Sequence, residues 1–201
     1  MENEPLIDKA LKTELSALYN AGDRHHHNLA HIEAMLALAG DYRGLLGDPE
    51  AVEAAIWFHD AIYDSRAKDN EAQSAALAET RLAGRTDAGR LKRISAMILA
   101  TATHQLPRFD DAAATRDASL FLDMDLSVLG AAPDAFDAYE RAVRREYDWV
   151  EEPMWRAGRS AVLTNFLARP HIFHTEEFRQ RFEPQARLNM ARSLKVLQKS
   201  S

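Results

Sequence analysis

Residues 48–60 read DPEAVEAAIWFHD, and the fold follows from how this stretch is read. Asp48-Pro49-Glu50 is a helix start: a capping oxygen, a proline at the first helical position, then an acid at the positive end of the helix dipole. The helix then runs through Val52, Ile56, Trp57 and Phe58, large apolar residues that leave little surface for water. It ends on His59-Asp60, a polar pair delivered straight from a buried segment.

Outward from this helix the same periodicity repeats. Upstream, residues 4–20 place Leu6, Leu11, Leu15 and Leu18 on one stripe ended by Gly22, and 28–39 carries Leu29, Ile32, Met35 and Leu36 up to Gly40. Downstream, helices are predicted over 69–83, 87–103, 117–130, 133–149, 154–168 and 184–198, with 105–116 as the longest loop. Alternating β-branched runs bounded by turn residues do not occur. The expected fold is all-α: one compact helical domain over 1–201, with a motif-bearing core at about 19–130 and a C-terminal helical elaboration at about 131–201.

A chain of 201 residues is long enough to bury a real core. It contains no cysteine, so disulfides and thiolate ligands are excluded and any metal must sit on nitrogen and oxygen. The formal charge of −6 argues against a nucleic-acid polymer as partner. No apolar run approaches the roughly 20 residues that span a bilayer. The opening MENEPLIDKALKTEL lacks the features of a secretory signal. The expected location is the cytoplasm, with no membrane partner.

Metal-binding residue types recur in four separated segments, each beside apolar residues: Arg24-His25-His26-His27-Asn28-Leu29-Ala30-His31, His59-Asp60, Thr103-His104 and Asp123-Met124-Asp125. On a helix, His27 and His31 share a face, whereas Asp123 and Asp125 do not, so only one of the two acids points at a common ion. Burying a carboxylate without a partner is costly, and a cation relieves that cost. Neutral imidazoles mixed with carboxylates suit Mn, Fe, Co, Ni or Zn, with Mg less expected. The zincin signature HExxH is absent.

The order His…His-Asp…Asp, with the His-Asp pair closing an apolar helix, resembles the HD superfamily of metal-dependent phosphohydrolases. The run RHHHNLAHI…AIWFHDAIYD…DNE…TATHQ…FLDMDLSVLG is similar to a bacterial branch of that superfamily whose substrates are mostly unassigned. His27-Asn28-Leu29-Ala30-His31 and Asp125-Leu126-Ser127 are also similar to metal motifs of cyclic-nucleotide phosphodiesterases. The resemblance implies a compact HD-type bundle in which His31, His59, Asp60 and Asp125 hold one or two divalent ions. In that reading Asp60 bridges to a second ion and His27 donates a proton to the leaving oxygen. The phosphodiesterases carry a histidine three residues beyond this aspartate; here Tyr63 stands in its place, so cyclic-nucleotide activity does not follow.

What the resemblance implies chemically is hydrolysis of a small phosphate ester, nucleotide-like or a phosphorylated metabolite, by metal-activated water. The alternatives are a phosphodiesterase acting on a cyclic or linear nucleotide, and a non-catalytic regulatory protein binding metal or nucleotide. Arg24, Lys68 and Arg66 lie close in sequence to the motifs and are candidates to clamp the phosphate. Glu71 either orients the water or caps its helix, and His104 is either a ligand or phosphate contact or the polar end of a buried helix. His25 and His26 are expected beside the site or on the surface, and His171 and His174 in a structural loop. The exposed face of the C-terminal helices is compatible with a homo-oligomer.

Overall fold

The computed structural model describes residues 5–20, 22 and 24–199. Among them the secondary structure is helical, without a named strand: α1 (Lys9–Tyr19), α2 (Leu29–Asp41), α3 (Pro49–Phe58), α4 (Asn70–Leu82), α5 (Ala88–Ala100), α6 (Ala112–Leu126), α7 (Pro133–Glu146), α8 (Glu152–Leu167) and α9 (Glu176–Gln198). Short 3-10 turns lie at Arg43–Leu45 and Ser127–Gly130. The all-α expectation holds. The chain divides between Met124 and Asp125, within the last turn of α6, into two compact units.

In the first unit α3 is the central element. Seven of its ten residues, Ala51, Val52 and Ala54 through Phe58, are buried, and α1, α2, α4 and α5 pack against it. A helix apolar all round is stable only when covered on every side. Asp48 caps its start, its carboxylate accepting from the Ala51 amide at 3.1 Å. That carboxylate also accepts from Arg90 Nε of α5 at 2.7 Å, and Arg90 Nη2 pairs with both Asp48 and Glu50. Asp117 of α6 reaches the same end and accepts from the amides of Gly47 at 2.7 Å and Asp48 at 2.9 Å. Gly47 permits this approach, because a Cβ there would stand 3.0 Å from the Ala113 Cβ. At the other end the Tyr19 hydroxyl donates to the Trp57 carbonyl at 3.0 Å, tying α1 to the turn that delivers His59.

In the second unit α8 packs on α9, and α7 and α9 both pack on the 3-10 turn Ser127–Gly130. Asn189 holds that turn by donating to the carbonyls of Leu129 at 2.9 Å and Ala131 at 2.8 Å. Gly130 is required there, since a Cβ would meet the Phe182 backbone oxygen at 2.6 Å. His171 and His174 lie in the loop before α9, where the buried Glu183 carboxylate accepts from the amides of Ile172 and Phe173.

Element boundaries depart from the sequence reading at three places. The first helix begins at Lys9, capped by Asp8, although Leu6 and Ile7 ahead of it are buried; residue 4, the expected start, lies outside the described residues. Helix α6 begins at Ala112, five residues before the expected 117, because Ala112, Ala113 and Ala114 favour helix more strongly than the paired aspartates favour loop. The last helix begins at Glu176 and runs through Pro184, the residue expected to start it. Thr175 supplies the cap and Glu176 and Glu177 complement the dipole, so the start signals outweigh the one amide that Pro184 cannot donate.

Partial burial opposes ionisation of Asp48, but Arg90 and the Ala51 amide outweigh it and hold its carboxyl below the usual carboxylate range. A carboxylate held low contributes stability above its unfolded pKa and loses it as pH falls through the folded value. Asp48→Ala is therefore expected to cost about 1–2 kcal/mol at neutral pH. In urea titrations the gap to wild type should close as pH drops below about 4; a gap independent of pH would show that the carboxylate contributes nothing.

Candidate metal centre

Three donor groups meet: His31, His59 and Asp125, whose ligand-type atoms all lie within 4.8 Å of one another. They are positioned by α2, the end of α3, and α6, whose helix carries Asp125 one residue beyond the last position of the first unit.

His31 stands in the first turn of α2, which Asn28 organises. The Asn28 carboxamide oxygen accepts from the amides of Ala30 at 3.0 Å and His31 at 3.3 Å, while its Nδ2 donates to the His25 carbonyl at 2.9 Å. His59 is only 1% exposed. Its Nδ1 lies 2.9 Å from the Ile56 carbonyl, an oxygen that only accepts, so Nδ1 carries the proton and Nε2 the lone pair of the neutral ring. That Nε2 lies 3.0 Å from the Asp60 carboxylate. Two lone-pair-bearing atoms at this separation favour a cation beside them, either a proton or a metal.

The donor set fits a divalent ion. Donors at about 2.1 Å from a common ion stand roughly 3.0–4.2 Å apart, so closing this cluster needs only small side-chain movement. Imidazole with carboxylate is the chemistry of a first-row transition metal. Asp60 lies outside the three-donor group and against His59 Nε2, at the edge of the cluster. His104 is not in the group: it closes the turn that follows α5 with φ +52°, partly exposed, its amide donating to the Ala100 carbonyl at 2.8 Å. Asp123 is fully buried in α6 and also outside the group, as the two-residue offset from Asp125 requires.

Of the remaining candidates, His27 and Arg24 are placed differently from the sequence reading. His27 does not share a helical face with His31, because α2 begins at Leu29 and His27 precedes its cap. Its ring instead stacks on Tyr63, centroids 4.2 Å apart. Arg24 is turned to the backbone: Nη1 donates to the carbonyls of His27 at 3.1 Å and Asp60 at 2.6 Å, and Nη2 to that of Ala61 at 2.9 Å. Lys68 and Arg66 are exposed in the turn before α4 and Glu71 lies in its first turn; among the described residues no side-chain hydrogen bond or ion pair holds Lys68 or Glu71.

His26, expected beside the site or on the surface, lies against one residue of the donor group. The His26 ring centroid lies 4.8 Å from those of both His27 and His31. The signal for this was Asn28, a strong N-cap that starts α2 after the histidine run and so leaves that run outside the helix. Tyr63 joins the same group through His27.

Compared with protein-family models, with curated proteins and with solved structures, the chain matches none.

Protein purified without chelators is expected to retain about one first-row divalent ion per chain by elemental analysis. His31→Ala and Asp125→Ala should each lose it while circular dichroism stays helical. A metal-free wild type that takes up none of Mn, Fe, Co, Ni or Zn on titration would remove the centre.

Proposed function

We propose that this protein is a metal-dependent phosphohydrolase of the HD type, acting in the cytoplasm on a small, nucleotide-like or otherwise phosphorylated metabolite. The observation that carries this reading is the convergence of His31, His59 and Asp125, with the Asp60 carboxylate 3.0 Å from His59 Nε2. The donors come from positions 31, 59 and 125, so chance adjacency in sequence does not account for their meeting. No helix among the described residues is long and apolar enough to cross a membrane.

A divalent ion held there supplies a Lewis acid that acidifies water and offsets charge on the phosphate oxygens. The chain's own groups do the rest. His59 is oriented by the Ile56 carbonyl, which keeps Nε2 directed at the cluster. Asp60, beside that nitrogen, accepts the proton released as the water oxygen bonds to phosphorus. His27, held by its stack on Tyr63, returns a proton to the ester oxygen as the P–O bond breaks.

A panel of nucleoside monophosphates, sugar phosphates and cyclic nucleotides, assayed with each candidate ion, tests the reading by release of inorganic phosphate. Asp60→Asn and His27→Ala should each lower kcat by about a hundredfold or more. His27→Ala should do so with metal content unchanged. Tight nucleotide binding with no turnover under any ion would instead make the protein a sensor.

A further inference from the structure

The side chain of Arg24 joins two pieces of chain that contribute the histidine donors. Its Nη1 grips the His27 carbonyl, in the turn leading into α2, and the Asp60 carbonyl, just beyond α3; Nη2 grips the carbonyl of Ala61. The faces of the same guanidinium lie over Tyr19, 5.2 Å from the ring centroid, and Tyr63, at 5.6 Å. Tyr19 in turn donates to the Trp57 carbonyl, and Tyr63 stacks on His27. Every partner named here belongs either to the His26–His31 segment, to the end of α3, or to a ring bound to one of them.

We infer that Arg24 is a positioning residue, which holds His31 and His59 at the separation one ion requires, and not a contact to substrate phosphate. The inference rests on the metal reading of the cluster. The carbonyls past α3 sit at the negative end of the helix, where a fixed cation is favoured. A planar fork can donate to three oxygens and stack on aromatic rings at once, whereas an ammonium cannot. His27 is four residues before His31 and Asp60 is adjacent to His59, so the gripped carbonyls stand within four residues of each donor along the chain. Without the fork, the relative position of the two segments falls to packing alone, and looser donors cost metal affinity before they cost the fold.

The test compares wild type, Arg24→Ala and Arg24→Lys in two measurements. In the first, the chelated proteins are titrated with Zn and with Mn, and affinity is read for the folded fraction. Both variants should bind about tenfold more weakly or worse, with lysine giving little rescue. In the second, amide hydrogen exchange of the metal-free proteins is followed; residues 28–31 and 59–61 should exchange faster together, with α7–α9 unchanged. If Arg24→Ala does not fold, Arg24→Lys carries both arms. Unchanged metal affinity with a raised KM for the phosphate ester at saturating ion would overturn the inference and return Arg24 to the substrate. So would a lowered melting temperature with unchanged affinity. If wild type takes up no ion, the metal reading fails, and the exchange arm alone decides whether Arg24 couples the two segments.

Discussion

Helix α3 has seven of its ten residues buried and leads directly into a histidine and an aspartate; the rest of the first unit packs around it. Apolar burial draws the helix inward, and the chain direction then carries His59 to a place where it is 1% exposed. A buried imidazole and a neighbouring carboxylate have to be met by hydrogen-bonding or charged groups. Those groups come from α2 and α6, which place His31 and Asp125 there, and from Arg24, which grips the backbone just past the helix end.

The two ends of α3 treat their acids differently. At the start, Asp48 is met by a guanidinium and an amide and is held ionised, while Asp117 accepts from two amides although burial pushes its carboxyl up. The protein there supplies its own positive charge. At the far end Asp60 faces an imidazole whose proton is on the other nitrogen, fixed by the Ile56 carbonyl. An arrangement that keeps a lone pair beside a carboxylate favours a cation there.

The histidine run shows how one capping residue changes the content of a motif. Read as helix, His27 and His31 form a pair on one face. Read with Asn28 as the cap, the run bends, His26 lies against His31, and His27 stacks on Tyr63. Tyr63, where the phosphodiesterases carry histidine, therefore has a structural partner of its own. Arg24 changes place in the same way: expected from sequence to clamp a phosphate, it donates instead to three backbone carbonyls of two segments.

Local sequence determined the helices and the identity of the donors, because apolar period, caps and residue chemistry act over a few neighbouring positions. The central helix 49–58, the offset between Asp123 and Asp125, and the residue types fit for a divalent ion could all be read this way. Tertiary structure alone decided which donors converge. It brought His31, His59 and Asp125 together, set Asp60 at the edge, left His104 out, and turned Arg24 to the backbone. Those outcomes depend on distances between segments from about 30 to more than 90 residues apart, set by how buried faces pack, and no local pattern encodes such a distance.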